Sequence, residues 1–228
     1  MSDVQLITVS GVSITATWES SIVQIWNYGN VDVDYMEEKP GRSSTLLTLV
    51  EKPSEDPRIH KHYKEKVPEL VEKLRRAINT NSNKALNSSI NQLVEDPRRR
   101  MVYVDQIIPE GEKGICRLLS MWLKLSGSEH TILNMNTHFS VQHGFQNAFS
   151  DMYLLTYLQK LVAEKLSILL DKPITVGRYV SLTDLFCISG SAYSELDAFL
   201  YQVRTTAFND RTLPEVFFSE ITNIQLEL

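Results

Sequence analysis

The stretch "GFQNAFSDMYLLTYLQKLVAEKL", residues 144–166, decides the fold, because its apolar side chains are spaced for one long helix. Large apolar residues recur there every three or four positions, which is typical of a helix face that packs on a core. They are Phe145, Phe149, Met152, Leu155, Leu158, Val162 and Leu166. The spacing predicts a central core helix that begins near His143.

Strand patterns lie on both sides of this helix. Turn residues Ser126-Gly127-Ser128 separate two apolar segments, which predicts a hairpin. A proline ends another strand pattern, at Pro53. The five predicted strands are "TLLTLVEKP" at 45–53, "RMVYVDQI" at 100–107, "ICRLLSMWLKL" at 115–125, "HTILNMNTHF" at 130–139 and "ITVGRYVSLTDLFCISG" at 174–190.

Three further segments have helical spacing. We predict helices at 15–28, with Gly29 as a C-cap, at 67–78, with Pro68 near the first turn, and at 192–204. The polar stretch Asn79–Ser89 gives no clear prediction. Hairpins and helices without regular βαβ alternation predict an α+β layered fold, and 228 residues fit one domain spanning 1–228.

Composition restricts the class of function. A net charge of −5 argues against a general nucleic-acid binder, and no P-loop, dinucleotide fingerprint, nucleophile elbow or metal-ligand spacing occurs. Two cysteines, with no signal peptide and no bilayer-length apolar run, predict a cytoplasmic protein with reduced thiols. His60 and His62 are expected on the surface rather than as metal ligands.

Several blocks of the chain, in this order, resemble the thymidylate synthase superfamily, and most of all its short archaeal-type synthases and CMP/dCMP hydroxymethylases. The blocks extend to about residue 195 and are "ITATWESSIVQIWNYG", "LVEKPSEDPRIH", "INQLVEDPRRRMVYV", Cys116 at the start of a strand, "GFQNAFSDMYLLTYLQKLVAEKL" and "VGRYVSLTDLFCISG". The resemblance implies a layered fold with a mixed sheet at a homodimer interface. It also implies methyl or hydroxymethyl transfer from 5,10-methylenetetrahydrofolate to C5 of a pyrimidine nucleotide.

Three arginines match phosphate-binding positions of that family. Arg99 and Arg100 resemble a pair that reaches across the homodimer interface to the nucleotide phosphate of the neighbouring chain. Arg42 is similar in placement to an arginine of a loop after the first helix. Guanidinium groups suit this role because they bind phosphate oxygens in pairs. The alternative for each arginine is a solvated surface charge.

Cys116 matches the position of the catalytic nucleophile of the family. Its thiolate would add to C6 of the pyrimidine, which makes C5 a nucleophile towards the one-carbon unit. The flanking residues Ile115 and Arg117 depart from the family pattern of a preceding proline and a following histidine. The alternative is a small buried residue that packs a strand.

Asp151 matches the base-reading position on the core helix. Family members that act on uracil have asparagine there, and members that act on cytosine have aspartate. A protonated carboxyl can donate to cytosine N3 while its second oxygen accepts from the 4-amino group. Another register places Asn147 in this role, and the alternative for Asp151 is a polar residue at the solvent edge of the helix.

Other positions of the implied site have changed residue type. Ser140 stands where the family has the arginine of a phosphate motif, and His143 stands where it has an aspartate. Cys187 and Ser189 replace a histidine and a tyrosine that bind the ribose hydroxyl. Losing such charged hydrogen bonds costs about 1.5–3 kcal/mol each. Glu69 matches a glutamate that organises proton transfer, although an exposed carboxylate at a helix start is the alternative.

Two functions therefore remain open. The first is a homodimeric C5 transferase that acts on a pyrimidine nucleotide, with Cys116 as nucleophile and with Asp151 favouring cytosine. The second is a catalytically degenerate homodimer that kept the fold and serves as a binding, scaffold or partner subunit. Neither involves a nucleic-acid polymer or a membrane.

Overall fold

A computed structural model describes residues 5–32, 39–70, 72, 82–99, 102–104 and 118–215. The helices of this part are α1 (Ile14–Tyr28), α2 (Ser82–Glu95), α3 (Phe149–Leu169), α4 (Tyr193–Thr205) and α5 (Phe208–Arg211). The strands are β1 (Leu6–Gly11), β2 (Asn30–Asp32), β3 (Gly41–Val50), β4 (Ile59–His60), β5 (Val102–Val104), β6 (Leu118–Ser126), β7 (Ile132–His143), β8 (Thr175–Ile188) and β9 (Thr212–Leu213). Short 3₁₀ turns span Lys61–Lys66 and Gly190–Ala192, and a π-helical turn, Gly144–Ala148, leads into α3.

Seven strands form one mixed sheet. Six of them lie in the order β1-β3-β8-β7-β6-β5, and the seventh, β2, pairs with the first residues of β3. The pairs β1–β3 and β7–β8 are parallel, and the remaining pairs are antiparallel. Strands β4 and β9 form a separate two-stranded sheet. The predicted α+β class with a mixed sheet is confirmed, and β6 and β7 form the predicted hairpin.

Helix α3 is the predicted core helix, and it is buried on more sides than its spacing indicated. All residues from 151 to 159 are buried, including the polar side chains of Thr156 and Gln159. The helix can be surrounded in this way because the sheet, α1 and α2 all pack against it. Gln159 has no exposed surface, and its amide donates to the backbone carbonyl of Leu133 at 2.8 Å.

Helix α1 follows the prediction closely. The side chain of Ser13 caps its first turn by accepting from the backbone N–H of Ala16, and Gly29 ends it by donating to the carbonyl of Ile25. Gly29 has an extended backbone with φ −65°, so its role here does not need the left-handed conformation. The indole of Trp18 is fully buried.

The structure also contains elements that the sequence patterns did not predict. Strand β1 and helix α2 were not predicted. Helix α2 covers part of the stretch Asn79–Ser89, which gave no clear prediction. The predicted strand at 45–53 begins earlier, at Gly41, and ends at Val50. Of the predicted helix at 67–78, residues 67–70 and 72 are described, and they are helical.

The two faces of the large sheet differ in burial. Helices α1, α2 and α3 pack on one face, which forms the core. We call the opposite face the second sheet face, and many of its side chains are partly exposed. On the second sheet face, strand pairing aligns Leu49, Val180, Asn136 and Trp122 in one row across four strands. Within the described ranges, no helix has the length and apolar character required to cross a membrane.

Replacing Leu166 by alanine tests the central position of α3. Leu166 is fully buried, whereas Ile168 in the same helix is 73% exposed. We expect Leu166→Ala to lower the free energy of unfolding by about 2–5 kcal/mol, because it removes buried apolar volume. The matched control Ile168→Ala should change it by less than about 0.5 kcal/mol. Equal effects of the two substitutions in urea unfolding would contradict this description of the core.

Candidate functional site

Three neighbouring strands, β3, β8 and β7, bring distant predicted site residues to one end of the sheet. Cys187 of β8 pairs with Ser43 of β3 on one side and with His143 of β7 on the other. Arg42 pairs with Ile188, the next residue of β8. We call Arg42, His143, Asn147, Cys187 and Ser189 the strand-end cluster.

One side-chain contact of this cluster joins two residues that replace family groups, Cys187 and His143. The Sγ atom of Cys187 lies 3.1 Å from Nδ1 of His143 and 3.6 Å from the backbone carbonyl oxygen of Gln142. Cys187 is not part of a disulfide, and both it and His143 are half-buried. The side chain of Asn147 accepts from the backbone N–H of His143 at 2.8 Å, so it holds the end of β7.

The chain that follows His143 is fixed by two aromatic donors from elsewhere in the fold. The indole N–H of Trp18 donates to the carbonyl of Gly144 at 2.8 Å, and the hydroxyl of Tyr63 donates to the carbonyl of Phe145 at 2.9 Å. A Cβ atom at Gly144 would lie only 2.6 Å from Cδ1 of Ile22. A side chain at position 144 would therefore have to displace the end of the Ile22 side chain.

Asp151 lies inside the protein, at the start of α3. It is 2% exposed, so the alternative of a residue at the solvent edge is wrong. The side-chain amide of Gln142 donates to its Oδ2 at 3.1 Å, and the hydroxyl of Thr183 donates to Oε1 of Gln142 at 2.6 Å. Sequence reasoning missed Gln142 and Thr183, because only strand pairing brings them to this carboxyl.

The charge of Asp151 affects the titration of a nearby phenol. Burial, followed by the charges of Glu195 and Asp151, raises the pKa of Tyr63 well above its ordinary value. Tyr63 therefore stays protonated at neutral pH and acts as the donor to the turn after β7. The charge of Asp151 therefore acts on the same phenol that holds the turn after β7.

The other members of the strand-end cluster contact their own neighbours in the chain. The guanidinium of Arg42 donates to the carbonyl of Gly29 at 3.0 Å and lies over the ring of Trp26, 5.5 Å from its centroid. The hydroxyl of Ser189 accepts from the backbone N–H of Ser191 and caps the turn after β8. Both side chains therefore have structural contacts, and Arg42, as the strand partner of Ile188, lies on the opposite sheet face from Cys187.

Other predicted site residues lie apart from the cluster or outside the described residues. Arg99 is exposed before the edge strand β5, and it donates to the side chain of Gln92 at 2.7 Å. Glu69 is exposed on the helical segment 67–70, in agreement with the alternative of an exposed carboxylate at a helix start. Ser140 is half-buried in β7, three residues before His143. Cys116 and Arg100 lie outside the described residues.

A second polar cluster, which sequence reasoning missed, lies beneath α1. The guanidinium of Arg211 makes two hydrogen bonds to the carboxylate of Glu19, at 2.6 and 2.9 Å. Nε2 of His60 lies 3.3 Å from the same carboxylate. The expected surface position of His60 is wrong, because this side chain is 1% exposed. His62 is half-buried and pairs with Glu195 at 2.8 Å.

Two opposing effects set the pKa of Glu19. Burial alone would raise it, but the hydrogen bonds and positive charges of His60 and Arg211 together hold the pKa of Glu19 below its ordinary value of 4.5. Glu19 is therefore ionised at neutral pH. Because its pKa is lowered in the folded state, it adds stability above the ordinary pKa and loses this contribution as the pH falls.

Comparison with known proteins assigns no family to this chain. No protein-family model matches the chain, and no match is found among the curated proteins. Within the described part of the chain, no three His, Cys, Asp or Glu residues are grouped so that they would hold a metal ion. The case for a functional site rests on the strand-end cluster and on the buried carboxyl of Asp151.

Replacing Glu19 by glutamine tests the cluster beneath α1. At neutral pH we expect Glu19→Gln to lower the free energy of unfolding by about 3–5 kcal/mol, because it leaves the Arg211 guanidinium buried without its counter-charge. The difference from the unmodified protein should shrink as the pH falls below 4.5, because the unfolded chain then takes up a proton at Glu19, whereas folded Glu19, with its lowered pKa, becomes protonated only at a lower pH.

Urea unfolding of both proteins across acidic and neutral pH measures this difference. Glu195→Gln is the matched control, because its carboxylate is 41% exposed and also pairs with a histidine. We expect it to cost less than about 1 kcal/mol. A Glu19→Gln difference that stays constant with pH would contradict the assigned ionisation.

Proposed function

We propose that this chain is a pyrimidine-nucleotide C5 one-carbon transferase of the thymidylate synthase type. One observation carries the proposal: residues 42, 143, 147, 187 and 189, which the resemblance implies for one nucleotide site, lie at one end of the sheet, where contacts join residue 143 to residues 147 and 187. Their sequence separation makes this convergence informative, because no local pattern requires it. Asp151 begins α3 directly after the same turn.

Each residue receives a role that suits its chemistry. Arg42 carries the positive charge for the nucleotide phosphate, and Cys187 and Ser189 stand at the positions that contact the sugar in the family. Asp151 reads the base edge, with Gln142 and Thr183 fixing the orientation of its carboxyl. These neighbours support the role because a base-reading group must be held in one orientation.

Cys116 is the nucleophile in this proposal. Its thiolate adds to C6 of the pyrimidine, and C5 then forms a bond to the one-carbon unit of the donor. Loss of the C5 proton and expulsion of the thiolate restore the aromatic base. The donor, methylenetetrahydrofolate, rests on the resemblance alone. A methyl product takes a hydride from the donor, whereas a hydroxymethyl product takes water. Glu69 would assist the proton transfers.

A homodimer completes the site, and the second sheet face is its interface. Half-exposed Leu47, Leu49, Val180 and Leu182 form an apolar strip on this face, and half-exposed Trp122 lies beyond the exposed Asn136 in the same row. Pairing two such faces would remove these side chains from water, at about 25 cal/mol per Å² of apolar area. Arg99 and Arg100 would then reach the phosphate of the neighbouring chain.

The dimer predicts a solution mass of two chains. We expect Leu182→Asp to shift the mass in sedimentation analysis towards one chain, because it buries a charge in the interface. The matched control is Arg178→Asp, at an exposed position on the same strand outside the apolar strip. A single-chain mass for the unmodified protein would contradict the interface.

The second candidate is a non-catalytic relative that serves as a scaffold or partner subunit. It is favoured because polar side chains of the site already make hydrogen bonds within the protein. Asp151 is 2% exposed and hydrogen-bonded to Gln142, and Arg42 is bound to the carbonyl of Gly29. A nucleotide would have to replace these internal contacts. In this candidate, Cys116→Ala changes no measurable behaviour.

Trapping of a covalent adduct separates the two candidates. The protein is incubated with methylenetetrahydrofolate and 5-fluoro-dCMP, 5-fluoro-CMP or the corresponding uridine nucleotides. We expect a mass increase on the peptide that contains Cys116, because fluorine at C5 blocks the proton loss that would release the thiolate. Cys116→Ala should remove the adduct. If no nucleotide binds and no C5 proton exchange occurs, the transferase proposal fails.

Asp151→Asn tests, in the same experiment, whether residue 151 sets the preference for cytosine or uracil. The carboxyl favours a cytosine edge and the amide favours a uracil edge. The substitution keeps an oxygen to accept from Gln142, so the fold should be retained. We expect adduct formation to shift from the cytidine to the uridine nucleotides. An unchanged preference with a retained fold would remove Asp151 from the base-reading role.

A further inference from the structure

We propose that Cys187 is a nucleophilic thiol in its own right, activated by His143, and that it forms mixed disulfides with low-molecular-weight disulfides. This reactivity goes beyond the proposed transferase, in which Cys116 is the nucleophile and Cys187 only faces the sugar. It depends on neither a nucleotide nor a folate. The inference rests on the contact between two side chains and on the frame that holds them.

The contact has the geometry of a nucleophile beside a general base. Sγ of Cys187 lies 3.1 Å from Nδ1 of His143 and 3.6 Å from the carbonyl oxygen of Gln142. The imidazole is the nearer of the two, and unlike a carbonyl it can accept the thiol proton completely. A cysteine with an imidazole in hydrogen-bond reach is a recurring arrangement for activating thiols.

The pair is held by the main chain rather than by flexible surface groups. His143 and Cys187 are direct partners in the parallel pairing of β7 and β8. Directly after His143, the backbone is fixed by hydrogen bonds from Trp18 and Tyr63, and the side chain of Asn147 binds the N–H of His143 itself. A base held in this way stays within reach of the sulfur through each reaction.

The chemistry needs one co-reactant, a small disulfide. His143 takes the thiol proton at Nδ1, and the resulting thiolate attacks one sulfur of the disulfide. A new S–S bond forms at Cys187, the original S–S bond breaks, and the second half leaves as a thiolate, which is protonated by the imidazolium or by water. Electrons balance, because one disulfide is consumed and one is formed.

Partial burial selects the size of this co-reactant. Cys187 is half-buried, so a tripeptide disulfide can reach the sulfur more readily than a disulfide within a folded protein. Oxidised glutathione is therefore the probe of choice.

The experiment uses Cys116→Ser as the parent, which leaves Cys187 as the single cysteine, because the chain has two. The parent is incubated with oxidised glutathione at neutral pH, and the mixed disulfide is followed by intact mass. We expect folded Cys187 to react about fivefold faster than the same chain unfolded in urea, because an ordinary thiol is only a few per cent thiolate.

Replacing His143 by glutamine in this parent should lower the rate about fivefold, since glutamine can hydrogen-bond but cannot act as the base. His138→Gln is the matched control, because His138 lies in the same strand and contacts Asp184 instead of Cys187. The control should react at the parent rate. Equal rates for the His143 variant, the control and the parent would overturn the proposal.

A second measurement needs no histidine variant. In the parent, alkylation by iodoacetamide should remove a thiolate ultraviolet absorbance at neutral pH, and the absence of such a change would also overturn the proposal. The two proposals fail separately. Loss of the Cys116 adduct would leave the exchange at Cys187 intact, and failure of the exchange would leave the adduct experiment unaffected.

Discussion

The hydrogen bond from the buried indole of Trp18 to the carbonyl of Gly144 is the contact on which much of this structure depends. It fixes the end of β7 against α1, and the ring of Trp18 is surrounded by aromatic side chains from five other elements. These side chains are His60, Tyr63, Phe145, Phe149 and Phe199. Because the donor lies in a dry aromatic environment, leaving the indole N–H without its acceptor would cost about 1–3 kcal/mol. Together with the hydrogen bonds from Tyr63, this contact fixes the turn between His143 and α3.

Much of the fold was predictable, because its main elements are marked by local periodicity. The spacing in 144–166 predicted α3, and the turn residues near Gly127 predicted the hairpin of β6 and β7. Helix α2 gave no such signal, because asparagine and serine, which are weak helix formers, occupy much of its length. Its buried residues Leu86, Ile90 and Leu93 do recur every three or four positions. Three apolar residues in a polar segment were too few to outweigh the composition.

The candidate site shows where sequence reasoning ends. Asp151 stood out as a charge in an apolar stretch, and its burial follows from that context. Its partners Gln142 and Thr183 lie on two strands, and their own surroundings in the sequence carry no sign of a buried polar pair. His60 was assigned to the surface for the same reason, since the carboxylate that accompanies it comes from a distant helix. Polar residues are buried by tertiary partners, and a single sequence does not reveal those partners.

The ion pair of Arg211 and Glu19 joins residues that are 192 positions apart in a chain of 228. Protein synthesis proceeds from the N-terminus, so α1 and its carboxylate leave the ribosome long before their counter-charge has been made. Until then, packing α1 on its final neighbours would bury the Glu19 carboxylate without its two hydrogen bonds from Arg211, which is unfavourable. The growing chain therefore has a reason to postpone complete docking of α1 until Arg211 has been synthesised, and this arrangement makes one of the first helices depend on a residue made much later.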